Sequence, residues 1–172
     1  MGAPNETALH ILEDTRQHAG KHSLKHEGFE RDGVKLTRSK LPFGDYCLPP
    51  KVSVDTKKDI YELYQDLTSD HARFKRECEG ARDAGVQLIV LVENRHGVRT
   101  LQDLAEWMEP IKHLAVRKKR APRAMRMSGK RLARACATMQ ERYGVAFRFC
   151  SPEESHTKIQ MFLKWNGGGE RE

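Results

Sequence analysis

The chain has 172 residues, of which 38% are hydrophobic and 32% charged, and it carries a net charge of +7. That length suits one well-buried domain and is short for two of ordinary size. No apolar run approaches a membrane span, and "MGAPNETALH" lacks the basic and apolar regions of a secretory leader, so a soluble, cytoplasmic protein is expected.

The first strand-like stretch is "ALHILED", Ala8 to Asp14, which ends on an acid. His18, His22 and His26 follow at a spacing of four, but Gly20 and Gly28 interrupt the helix that would align them. A mobile loop is expected there rather than a transition-metal site. "VKLTRSKLPFGDY" alternates again, with Val34 and Leu36 on one face and Lys35 and Thr37 on the other. Pro49 and Pro50 mark a turn before the strand "KVSVD".

The period then becomes helical. Ile60, Leu63, Tyr64 and Leu67 share one face, and Phe74, Cys78 and Ala81 form a second stripe ending at Gly85. "VQLIVLVE" is apolar on both faces, as suits a central strand covered by helices. A short helix is expected near Leu101 to Met108. Ser128 is placed to cap a helix with the stripe Leu132, Cys136, Met139 and Tyr143, stopped by Gly144. "VAFRFC" is a short strand, and "SPEESHTKIQMFLKW" is a last amphipathic helix that starts on proline and acids. The expected order is β-β-β-α-α-β-α-α-β-α: an α/β fold with a central mixed sheet flanked by helices. The domain spans residues 8–165, between disordered residues 1–7 and 166–172.

Cys47, Cys78, Cys136 and Cys150 are scattered without any paired spacing, which argues against both a zinc site and a disulfide scaffold. They are expected as buried thiols in a reducing compartment. Trp107 and Trp165 are expected as packing anchors. The positive charge is concentrated: Arg117 to Arg134 holds nine of the 31 basic residues and no acid. Such a block suits a polyanion, above all nucleic acid, and Arg117, Lys118, Lys119, Arg120, Arg123, Arg126 and Lys130 are the expected phosphate contacts. Pro122 makes part of it a loop rather than a helical stripe.

The stretch "GDYCLPPKVSVDTK", Gly44 to Lys57, is the candidate site. In a hairpin centred near Pro50, Asp45 lies opposite Asp55, and Asp55 and Lys57 point to the same face. Two acids at contact distance repel unless a cation shares them, and an all-oxygen set suits Mg²⁺, with Mn²⁺ as a substitute. A lysine beside such an ion can orient the attacking water and stabilise charge on a phosphate oxygen.

An acid followed by acid-x-Lys on adjacent strands is the pattern of the PD-(D/E)xK nucleases. "GDYCLPPKVSVDTK" resembles the XPF-type nuclease domain of that superfamily, whose core reads GDY, a proline-containing stretch, then V-E-R-K. "ILEDTRQ" is similar to its early strand ending V-D-x-R-E. The "RFKREC" helix and "QLIVLVE" follow in the family's order, and "TMQERYGVAFRFC" resembles the end of small bacterial and phage members.

The resemblance implies a restriction-endonuclease-like fold and a Mg²⁺-dependent DNA endonuclease acting in repair, recombination or phage DNA metabolism, on branched or flap substrates. Asp45 and Asp55 would be metal ligands, with Asp14 near the metal directly or through water. Lys57 would be the catalytic lysine, and Arg16 would hold a phosphate or the site's acids. This sequence departs from the family at Thr56, where the family has arginine, at Gln17, where it has glutamate, and at Tyr61, where it has aspartate. The alternative is a non-catalytic DNA-binding module of the same fold. No tandem helix-hairpin-helix signature is present. Substrate selection is therefore expected from the basic block, a DNA-targeting partner protein or a homodimer.

Overall fold

The computed structural model describes residues 9–18, 20, 22–49, 51–108 and 128–164. The expected disorder at residues 1–7 and 166–172 lies outside them. So do Trp165 and the basic-block residues Arg117, Lys118, Lys119, Arg120, Arg123 and Arg126.

Among the described residues six strands form one sheet: β1 (His10–Asp14), β2 (Lys35–Ser39), β3 (Tyr46–Leu48), β4 (Val52–Lys57), β5 (Gln87–Glu93) and β6 (Ala146–Cys150). Among the described residues six helices surround it: α1 (Ser23–Arg31), α2 (Ile60–Asp66), α3 (His71–Asp83), α4 (Leu101–Glu106), α5 (Gly129–Tyr143) and α6 (Ser155–Lys164). The strand order is β2-β1-β3-β4-β5-β6, with β3 antiparallel to β1 and β4 and the other pairs parallel. The sheet is mixed and helices cover both faces, as the sequence predicts.

Alternation along the strands divides the core in two. Leu88, Val90, Val92, Phe147 and Phe149 point to one face and pack under Leu63, Phe74, Leu104, Leu132 and Cys136. Ile11, Tyr46, Val54, Ile89 and Leu91 point to the other and pack against Phe29, Ile159 and Leu163 of α1 and α6. Each fully buried large apolar side chain contributes about 1.5–3 kcal/mol. β5 lies between β4 and the edge strand β6, one place out from the centre expected of it, and from Leu88 onward every side chain is buried because helices cover both faces. Asp59 caps α2 through Glu62 N at 2.8 Å, and Ser128 caps α5.

Three expectations need correction. "VKLTRSKLPFGDY" is two strands rather than one: β2 runs parallel to β1 at the sheet edge, and β3 returns antiparallel on β1's other side. The histidine-rich stretch holds α1, with His22 at its N-cap. No apolar period marks the helix, because its buried stripe is Lys25, Gly28 and Phe29, with one large apolar residue among the three. Gly28 does not break it; a Cβ there would lie 2.3 Å from the His156 ring, so α1 and α6 approach closely only at glycine. The last helix is entered through a 3-10 turn at Pro152–Glu154. Cys78, Cys136 and Cys150 are buried free thiols and Cys47 is half-buried. Trp107 packs against the core and lies 5.6 Å from the His96 ring. Among the described residues no helix is long and apolar enough to cross a membrane.

Candidate active site

The β3–β4 hairpin sets the geometry. Tyr46 pairs with Val54, so Asp45 and Asp55 form the next position outward, the register the sequence predicts. Asp45 N donates to Val54 O at 2.8 Å. Gly44 makes this approach possible: its φ is +66°, and a Cβ would meet Ser53 Oγ at 2.8 Å and the Val54 backbone at 3.0 Å. Ser53 Oγ donates to Phe43 O at 2.5 Å, and Gly44 N donates to Glu77 Oε1 at 3.0 Å. The turn carrying Asp45 is therefore fixed from both sides. Asp45 itself is aimed by Thr56, whose backbone N and Oγ1 donate to Asp45 Oδ2 at 2.7 and 2.6 Å.

Asp55 and Lys57 share the face under α2 and α3, and the Lys57 ammonium lies 2.7 Å from Asp55 Oδ2. It also lies 2.5 Å from Oδ2 of Asp66 on α2. All three residues are buried. The contacts are ion pairs rather than well-directed hydrogen bonds, since neither Oδ2 has a hydrogen-bond partner. Arg73 Nη2 closes on Asp66 Oδ1 at 2.7 Å, and Arg73 Nη1 lies 3.8 Å from Glu77. A chain of alternating charge thus runs from Asp55 to the residue that holds Gly44.

Burial works against the charged form of Lys57, but the carboxylates of Asp55 and then Asp66 outweigh it and hold the ammonium above its ordinary range. Asp55 moves the other way for a carboxylate. Burial raises it, Lys57 pulls it down, and Asp45 and Glu77 push it up again, leaving it raised. Lys57 is the group that keeps its proton; Asp55 is the acid short of positive charge.

Asp14 is buried at the end of β1, and its backbone N donates to Asp45 O at 2.8 Å. Both of its carboxylate oxygens are engaged by Arg16: backbone N to Oδ1 at 2.9 Å, and Nε at 2.7 Å together with Nη2 to Oδ2. Burial alone would raise Asp14, but these bonds hold it below the usual carboxylate range. Arg16 therefore grips an acid of the site, one of the two roles expected of it, and its side chain stays 62% exposed.

Mg²⁺ keeps several waters and takes only one or two protein carboxylates. Asp45 and Asp55 fit that requirement: Asp45 keeps Oδ1 free of any bond among the described residues, and Asp55 Oδ2, buried without a hydrogen bond, meets only the Lys57 ammonium, which Asp66 also holds. Asp14 has no spare oxygen in this arrangement. Among the described residues no group of three or more His, Cys, Asp or Glu is set to hold a metal. Lys130 is exposed in the first turn of α5, and no hydrogen bond or ion pair among the described residues joins it to the site.

Asp66 and Arg73 are the residues the sequence reading missed. An acid on a helical stripe beside Leu63 and Leu67 was the available signal. Glu77, on α3, is only 20% exposed and fastens the Gly44 turn. Of the family departures, Thr56 clamps Asp45, and Tyr61 is exposed and stacks near Tyr64 while Asp66 holds the lysine.

No family model and no curated relative matches the chain. Solved structures do. XPF from Aeropyrum pernix matches with a TM-score of 0.60 at 18% identity, over 95% of this chain and 65% of that one. The same protein in complex with DNA matches with a TM-score of 0.62 at 18% identity, over 91% and 64%. This chain spans about two thirds of the length of that protein. The two share one fold: a mixed six-stranded sheet, helices on both faces, in the XPF arrangement.

Proposed function

We propose that this chain is a divalent-metal-dependent endonuclease that hydrolyses DNA phosphodiester bonds, with Mg²⁺ as its metal and Mn²⁺ as a substitute. The observation that carries the reading is the convergence of Asp45, Asp55 and Lys57 at one end of the β3–β4 hairpin, on a fold shared with a protein solved in complex with DNA. Asp45 and Asp55 would hold the metal, which when bound would polarise a phosphate oxygen and acidify a water. Lys57, kept protonated by Asp55 and Asp66, serves as a fixed positive donor to the phosphate or to the attacking water, not as the base that deprotonates it. Thr56 holds Asp45 in its rotamer, and Arg16 both orders Asp14 and presents charge to solvent for the backbone of the strand. The basic block supplies affinity without sequence preference.

The test is incubation of flap, fork, Holliday-junction and single-stranded DNA with the protein in Mg²⁺ or Mn²⁺. Cleavage that disappears in Asp45→Ala and Lys57→Ala supports the reading. Cleavage that survives either substitution removes the site assignment. Binding without cleavage of any substrate leaves the DNA-binding module as the correct description.

A further inference from the structure

Asp55 and Lys57 face α2 and α3, but the same end of the sheet carries a second polar row on its other face. Glu13, Tyr46, Thr56 and Glu93 stand there at the ends of β1, β3, β4 and β5, each in step with a core residue under α1 and α6. α1 crosses this row. Lys25 Nζ lies 2.5 Å from Glu93 on β5, and His26 Nε2 lies 2.7 Å from Glu13 on β1, so two adjacent residues of the helix straddle β3 and β4. Phe29, further along, enters the core against Tyr46 with ring centres 5.6 Å apart. The helix therefore runs inward from the strand ends. His22 at its N-cap, one turn before Lys25 and His26 on the same side, overhangs those ends. It is on this face that the Thr56 hydroxyl, at 2.6 Å, holds Oδ2 of Asp45.

His22 carries its proton on a defined nitrogen. Its Nδ1 is 3.3 Å from Lys25 Nζ, and an ammonium can only donate, so Nδ1 accepts and the ring N–H is on Nε2. That N–H makes no hydrogen bond among the described residues, and the side chain makes no capping bond to α1. Burial and then the Lys25 charge hold the imidazole below its ordinary range, against the pull of Asp45, Glu93 and Glu13. The ring is therefore neutral at neutral pH, with one donor to spare. His26 is different, since Glu13 takes its Nε2.

A neutral donor has a use beside acids that a cation lacks. A guanidinium placed there would close on a carboxylate, as Arg16 closes on Asp14, whereas a neutral N–H stays available for an incoming anion.

We infer that His22 Nε2 donates to a non-bridging oxygen of the DNA phosphate that comes to Asp45 and Asp55, gripping it from the α1 face while Lys57 serves it from the other. His22 is a substrate-binding residue here and neither base nor acid, because Lys25 occupies Nδ1 and a neutral imidazole does not give up its N–H proton. The inference rests on the nuclease reading for the identity of the phosphate.

The test reads the ring itself. Isotope-labelled full chain is followed by NMR of the imidazole N–H groups in Ca²⁺, with His22 assigned by the signal lost in His22→Gln. The probe is whichever of flap, fork, Holliday-junction or single-stranded DNA binds most tightly by anisotropy. The free protein is expected to show the Nε2–H form, and the proton should move downfield with DNA. An Nδ1–H form, a proton that bound DNA leaves unmoved, or no binding to any of the four DNAs overturns the inference. His22→Phe keeps a ring and removes the donor, and should weaken binding by at least about tenfold. His22→Gln, which can still donate, should recover part of that. Methylphosphonate linkages are then scanned along the strand one phosphate at a time. One position should be costly for wild type and nearly free for His22→Phe. The same penalty in both proteins at every position overturns the inference even if the variant is unstable. Cleavage is measured separately in Mg²⁺. A responsive His22 without cleavage sinks the nuclease alone, and cleavage that needs Asp45 and Lys57 beside a silent His22 sinks this inference alone.

Discussion

The ammonium of Lys57 is held by Asp66, 2.5 Å away on a different element. The lysine that the sequence pairs with Asp55 is therefore shared, and the second partner is itself held by Arg73 at 2.7 Å. Asp55 can give its oxygen to a metal while Lys57 keeps a buried counter-ion.

Asp66→Asn tests that arrangement. Removing one partner of a buried ion pair costs about 3 kcal/mol here, at the lower end because Asp55 remains, and lowers Tm by roughly 6–12 °C. Single-turnover cleavage should slow by about 10–100-fold as Lys57 loses its fixed position. A variant that melts early but cleaves at the wild-type rate would make Asp66 purely structural.

The Thr56 hydroxyl aims Asp45. Thr56→Val keeps the backbone donor at 2.7 Å and loses the hydroxyl. Stability should fall by about 0.5–1.5 kcal/mol. Calorimetric titration with Mn²⁺ should show weaker binding, because Asp45 gains a second rotamer. Unchanged Mn²⁺ affinity would show that the backbone amide alone positions the acid.

The two halves of the site differ in how much of them can be read from residue order. The hairpin register, the shared face of Asp55 and Lys57, and the helical stripes of Phe74 and Cys78 follow from period and turn chemistry, because neighbours along one strand or helix have fixed directions. Asp66 and Arg73 reach the site through the packing of α2 and α3 on the sheet, and no local spacing encodes that. α1 was missed for a related reason: its buried face is a lysine, a glycine and one phenylalanine. Lys25 is buried only because Glu93 on β5 lies 2.5 Å from its ammonium and Ser155 supports that glutamate at 2.9 Å. A polar contact between distant segments leaves no periodic trace.

Asp55 gives a pH dependence with a definite sign. Burial pushes its carboxyl up to about 8, above the ordinary value near 3.8. The folded state therefore keeps a proton that the unfolded chain has lost, and the resulting stability is fullest in acid and is lost as pH rises towards that value. Asp55→Asn removes this loss. In EDTA, its Tm relative to wild type should improve between about pH 5 and pH 8, by at least about 1 kcal/mol or 2–4 °C. Saturating Mn²⁺ should stabilise wild type and not the variant. A pH-independent difference in Tm would mean that Asp55 does not titrate in this window.

The basic block is expected to act through phosphate charge. Neutralising Arg117, Lys118, Lys119 and Arg120 together should weaken binding to all DNA structures alike. The slope of log K against log salt should fall by about 0.9 for each phosphate that no longer meets a positive side chain. Anisotropy measured across a salt series decides it, and an unaltered slope would place the binding surface elsewhere.

β4 alternates between two duties. Val52 and Val54 belong to the core under α6, while Ser53, Asp55 and Lys57 face the site. Slipping this strand by a single residue would exchange the two sets, driving two charges into hydrocarbon and lining the site with valine. A misregistered chain would therefore be both unstable and unreactive. Because of that coupling, correct pairing of β3 with β4 works as a safety catch: Asp45, Asp55 and Lys57 meet only after the sheet has closed.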